Sequence, residues 1–127
     1  MGFFDGLMGN ASAVDAKEIE KELEMIVGEQ EHVELAYKLV RDLIVFTDLR
    51  LILVDKQGLT GKKIEYQSIP YKSISRFSVE TAGHFDLDAE LKVWISSAIQ
   101  PTISKQFKKD KTIYDVQKAL AVYVAKA

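Results

Sequence analysis

The chain has 127 residues, 47% of them hydrophobic and 28% charged, which fits one domain long enough to bury its own core. It contains no cysteine, so disulfides and thiolate metal sites are excluded, and a reducing, cytoplasmic setting is the expectation. A formal net charge of −2 speaks against a dedicated nucleic-acid binder, which is usually basic.

No apolar run approaches the roughly 20 residues of a membrane helix. Met1-Gly2-Phe3-Phe4-Asp5 lacks a basic n-region, so no signal peptide is expected. Gly6 stands where a myristoylation motif wants Ser or Thr. Phe3, Phe4, Leu7 and Met8 suit one face of a helical turn or two, either as oligomer contacts and a flap over core or as a membrane anchor. The first reading is preferred, because no basic residue precedes Lys17 to meet anionic lipid.

Ser12-Ala13-Val14-Asp15 has capping-box spacing, and Asp15 is itself an N-cap candidate. Ile19, Leu23 and Ile26 then predict an amphipathic helix of about three turns, closed by Gly28 as its C′ residue. Glu31 to Val40 alternates as a strand, with Val33, Leu35, Tyr37 and Leu39 on one face and Ala36 on the other. Leu43 to Thr47 is the second strand and Leu49 to Val54 the third, its Ile52 and Val54 implying that the second face is also covered. Gly58 and Gly61 bound the next loop, after which Lys63, Glu65 and Gln67 face outward around Ile64 and Tyr66. Ile69-Pro70-Tyr71 marks a corner between sheets, since Pro cannot donate to a central ladder.

Ser73 to Thr81 resumes the alternation. Asp86 to Ile95 is the cleanest strand, and it leaves Trp94 on the polar face, either covered by another element or part of a contact surface. Pro101 opens a last strand, Thr102 to Lys108. A final helix follows, with Ile113, Val116, Leu120 and Tyr123 as its apolar stripe and Ala119, Ala121 and Ala125 keeping it slim. Consecutive strands with short connections make an antiparallel meander, which a closing helix can cap.

That order resembles the pleckstrin-homology superfold, and the wording is similar to its bacterial family. The residues that carry the resemblance begin with Gly2-Phe3-Phe4-Asp5-Gly6 and Leu43-Ile44-Val45-Phe46-Thr47. They continue through Arg50-Leu51-Ile52-Leu53-Val54-Asp55, Gln57-Gly58-Leu59-Thr60-Gly61-Lys62-Lys63 and Ser68-Ile69-Pro70-Tyr71-Lys72-Ser73-Ile74. Phe77-Ser78-Val79-Glu80-Thr81, Phe85 to Lys92 and the helix from Ile113 to Tyr123 complete it. The resemblance implies a mainly β fold: a PH-like seven-stranded antiparallel roll with a capping C-terminal helix. Residues 1–30 would be an N-terminal helical extension and residues 31–127 the PH-like domain. It also implies cyclic homo-oligomeric rings, a role in protein–protein interaction and no catalytic activity. Eukaryotic relatives often bind phosphoinositides through Lys and Arg around the first loop. Here Lys38 and Arg41 stand beside Asp42 with almost no loop, so that ligand is not expected.

The residues themselves agree on the absence of catalysis. His32 and His84 stand at strand ends or turns outside any nucleophile motif, and no HExxH, Walker-type or GxGxxG pattern occurs. Asp86, Asp88 and Glu90 share one face of one strand about 6.8 Å apart, too far for a compact metal cage. They read as a solvated acidic stripe or, with Trp94, as a docking surface. Lys105, Lys108, Lys109 and Lys111 form a basic cluster that a neighbouring subunit's Asp86-Asp88-Glu90 face would complement in a ring. The expected function is a non-enzymatic scaffold with itself and another protein as partners, and neither cofactor nor nucleic acid. The alternative is a peripheral membrane or lipid-head-group binder using Phe3, Phe4 and the lysine cluster.

Overall fold

The computed structural model describes residues 14–39, 42–58, 62–81, 89–107 and 112–127, in two compact units, residues 1–69 and 70–127. The expectations placed on Phe3, Phe4, Leu7, Met8, His84, Asp86, Asp88, Lys108, Lys109 and Lys111 lie outside the described residues.

In the first unit, Asp15 starts helix α1 (Ala16–Glu22), its carboxylate accepting from the Lys17 N–H at 2.9 Å. That satisfies one of the N–H groups a helix start leaves free. Regular helix stops earlier than the three turns expected. The chain continues in turns over 23–27, where the Ile26 and Val27 N–H groups both donate to the Leu23 carbonyl at 2.9 Å. This keeps the apolar stripe intact while changing one member: Ile19, Leu23 and Val27 are buried, and Ile26 only partly. Gly28 is therefore not a left-handed helix cap. Of the described glycines only Gly58 has a positive φ, at 78°.

The stripe lies on a four-stranded sheet ordered β1 (Val33–Leu39), β2 (Asp42–Thr47), β3 (Arg50–Gln57) and β4 (Lys63–Pro70). β1 and β2 pair antiparallel through Tyr37 and Ile44, β2 and β3 through Val45 and Ile52. An irregularity between Val33 and Leu35 reverses the predicted alternation at the start of β1. Val33 consequently joins Ala36, Leu43, Val45, Ile52 and Val54 beneath the helical segment, not the face of Tyr37. The opposite face is buried as well, with Tyr37 and Phe46 meeting edge to face at 6.1 Å. Leu49 does not belong to β3; it occupies the tight turn after Asp48 and is exposed. β4 lies at the edge of this sheet, and Ile64 and Tyr66 are exposed there along with their polar neighbours.

Pro70 ends β4, and a single 3₁₀ turn (Tyr71–Ser73) leads into β5 (Ile74–Thr81) of a separate sheet. Its order is β5, β6 (Ala89–Ile95), β7 (Ile103–Phe107), antiparallel throughout. Phe77 pairs with Val93 and Val93 with Ile103, which sets the apolar face. Helix α2 (Thr112–Lys126) packs on β5, β6 and the 3₁₀ turn, burying Ile113, Val116, Ala119, Leu120 and Tyr123. Tyr123 stacks on Tyr71 at 5.2 Å. Of the three alanines expected at this contact, only Ala119 is buried; Ala121 and Ala125 are exposed.

Candidate functional site

Opposite residues in an antiparallel ladder share a face, so the β5–β6–β7 pairing fixes what the second sheet displays. Arg76 pairs with Trp94, Ser78 with Lys92, and Glu80 with Glu90, which in turn pairs with Gln106. Lys105 pairs with Leu91 and therefore belongs to the other face. The predicted surface is thus divided: Glu90 and Trp94 lie on one side of the sheet and Lys105 on the other.

Glu90 does not act as a bare acid. Lys92 lies 3.5 Å from Glu80 and 3.6 Å from Glu90, and the Ser104 hydroxyl donates to the same Glu90 carboxylate. Such exposed pairs contribute little stability, but they cancel most of the charge that an acidic docking stripe would need.

Trp94 is covered, although alternation places it among polar residues; only 8% of it is exposed. The guanidinium of Arg76 lies 4.0 Å from the indole centroid, and Nε1 of Trp94 donates to the Ile99 carbonyl at 3.3 Å. The β6–β7 connection folds back to allow this. Ser96 donates its N–H to the Ser73 carbonyl at 2.8 Å, and Ser97 its N–H to the Ser75 hydroxyl at 3.0 Å. These bonds hold Ser96 and Ser97 in the left-handed region, φ 54° and 60°, at a cost on the order of 1 kcal/mol each. The result is an open hollow of about 340 Å³ lined by Ser75, Arg76, Trp94, Ser97, Ala98 and Ile99.

Among the described residues no carboxylate lies within ion-pair distance of Arg76. One face of its guanidinium rests on the indole, and the N–H donors at its edge suit a carboxylate or phosphate. This hollow can therefore hold an anionic group beside an apolar one. Sequence reading passed over Arg76 and Ile99. The signal for Arg76 was its outward position on β5, three residues after the turn, on the face that alternation assigns to Trp94.

The first unit carries a second hollow, about 460 Å³, between α1 and residues 28–32, lined by Glu20, Glu24, Glu29 and His32 with Lys17 and Lys21. His32 is exposed, its Nδ1 3.5 Å from a Glu20 oxygen that also accepts from the Val33 N–H at 2.7 Å. At the inner wall lies Glu31, 6% exposed. Arg50 donates to both of its oxygens, and the Thr47 hydroxyl donates at 2.6 Å. The Arg50 guanidinium holds the Glu31 carboxyl below the usual carboxylate range, with Thr47 adding to the effect and burial opposing it. The pairing in turn raises Arg50. Arg50 also donates to the Ile26 carbonyl at 2.6 Å and the Ser68 hydroxyl at 2.7 Å, so its donors are used within the unit. This is a structural brace. Among the described residues no group of three or more His, Asp or Glu is placed to hold a metal ion, and no helix is long and apolar enough to cross a membrane.

Comparison with known proteins places these features in a family. Residues 2–124 match the bacterial PH domain. The chain is 71% identical over 121 residues to the uncharacterized protein YjqA of Bacillus subtilis (strain 168), covering 95% of this chain and 97% of that one. It superposes on the pleckstrin homology domain from Shewanella amazonensis SB2B with a TM-score of 0.81 and 56% identity, covering 96% and 98% of the two chains. A DUF1696 family protein with a pleckstrin-homology domain from Shewanella loihica PV-4 follows at TM-score 0.75 and 50% identity, covering 91% and 97%. The fold is PH-like, mainly β with two antiparallel sheets, a C-terminal helix and a short N-terminal one.

Proposed function

Given that the chain belongs to the bacterial PH domain family, we propose that it is a non-catalytic protein-interaction module working as a cyclic homo-oligomer in the cytoplasm. The observation behind this reading is the edge strand β4, which carries exposed Ile64 and Tyr66. An edge strand offers unpaired backbone groups to an incoming chain, and side chains alternating along it supply selectivity. Repetition around a ring adds avidity, so a weak contact per subunit suffices. The lipid-head-group alternative draws on Phe3, Phe4 and a lysine cluster of which three of four members lie outside the described residues.

Multi-angle light scattering on the purified chain tests the assembly. A discrete multiple of 14.3 kDa is expected; a monomer at micromolar concentration removes the ring.

A further inference from the structure

The charge of the chain is divided between its two units. Residues 1–69 contain thirteen acidic and eight basic side chains, net −5, whereas residues 70–127 contain six and nine, net +3. Among the described residues, each unit also presents one large apolar side chain almost wholly to solvent, Met25 at 88% and Ile99 at 90% exposure. Each of these lies beside charge of its own unit's sign. Met25 follows Glu24 in the turns after α1, with Glu22 also exposed. Ile99 lines the hollow that holds Arg76.

We infer that these two places are the halves of one contact between copies of this chain. The Met25 turn of one copy docks on the Arg76–Ile99 hollow of the next, Glu24 meeting Arg76 and Met25 packing beside Ile99. The inference rests on the homo-oligomer reading above and specifies its interface. Arg76 is held against Trp94 before any partner arrives, so little side-chain freedom remains to be lost when a carboxylate binds. Met25 is unbranched and adapts its shape to an open hollow. Opposite charge at Glu24 and Arg76 favours this pairing over a contact of either place with its own copy, and a head-to-tail contact of this kind closes into a ring when the rotation allows. The Lys92–Glu80–Glu90 cluster on the same sheet is internally compensated and contributes little net charge to this steering.

Charge reversal tests it by light scattering on the full chain, with circular dichroism to verify folding. Arg76→Glu and Glu24→Arg each place like charges face to face, and each is expected to reduce the assembly to 14.3 kDa. The double variant Arg76→Glu/Glu24→Arg restores the pair with inverted sign and is expected to recover the wild-type mass. Should Arg76→Glu disturb the Trp94 packing, Ile99→Asp and Met25→Asp serve instead, since both positions are exposed and each is expected to give monomer. Wild-type assembly that survives the single reversals and the two aspartate variants overturns this contact and leaves the oligomer reading intact. Dissociation by the single reversals without recovery in the double variant overturns the Glu24–Arg76 pairing. A monomeric wild type overturns the oligomer reading and this contact together.

Discussion

Arg50 reaches across to Glu31 with two parallel bonds of 2.8 Å, Nε to Oε2 and Nη2 to Oε1, and ties the segment before β1 to the start of β3. The same guanidinium holds the Ile26 carbonyl, so the turns after α1 are anchored to the sheet by one side chain. Arg50→Ala would leave Glu31 buried without its cation. Breaking one half of a buried pair costs about 3–5 kcal/mol, and the lower end applies because 26% of the Arg50 side chain is exposed. Urea unfolding should show a lower midpoint with an unchanged slope. A loss below about 1 kcal/mol would mean that the pair is replaceable by water.

Glu31 also sets a pH dependence. Its folded pKa is lowered from the ordinary 4.5, with Arg50 as the largest cause. A depressed carboxylate contributes stability that is fully present above its unfolded value and is lost as pH falls through the folded one. Glu31→Gln removes this contribution at all pH values. The stability gap between wild type and Glu31→Gln should therefore be constant near neutrality and shrink as pH drops below about 4.5. Equilibrium unfolding of both proteins across that range reads it; a gap that widens in acid would contradict the assignment.

Much of this architecture was legible because β5 from Arg76 onward, β6 and β7 keep a period of two. Arg76, Phe77 and Val79 on β5 and Ala89 to Ile95 on β6 fall on the faces that alternation assigns them. Pro70 announces the passage from one sheet to the next, because a residue without an N–H ends the ladder it would have to join. What alternation could not reveal is where its phase slips. The bulge near Val33 moves that side chain to the helix-covered face, and no residue type in Val33-Glu34-Leu35 marks it. Gly28 was misread for a related reason: the apolar stripe runs to Val27, but turns carry its last part, so no helix end is there to be capped. The candidate site was legible only in part. Trp94 stood out as an aromatic among polar residues, yet its cover comes from Arg76 and from a loop whose path depends on two serines at positive φ.

Trp94 is the single tryptophan of the chain, so its fluorescence reports on this site alone. Arg76→Ala uncovers one face of the indole. The emission should shift to the red and acrylamide quenching should increase, while stability falls by about 0.5–1 kcal/mol, the range for an exposed cation–π contact. Trp94→Phe keeps a ring beneath Arg76 but loses the Nε1 bond to the Ile99 carbonyl. It should loosen residues 96–99, read as faster amide exchange at Ser96 and Ser97. Unchanged quenching in Arg76→Ala would show that the guanidinium does not lie on the ring in solution.

Gly28 and Gly58 should respond to alanine in opposite directions. Neither site crowds an added Cβ, since nothing lies within 4 Å of it, so packing drops out and backbone conformation decides. Gly58 has φ +78°, where an L side chain meets the following carbonyl, and Gly58→Ala should destabilise by about 1–2 kcal/mol. Gly28 is not in that region, and Gly28→Ala removes freedom mainly from the unfolded chain. It should stabilise by about 0.4–1 kcal/mol. Thermal or urea unfolding of the two variants beside wild type decides the matter. Destabilisation by Gly28→Ala comparable to that of Gly58→Ala would restore Gly28 to the capping role that its place after an apolar stripe suggests.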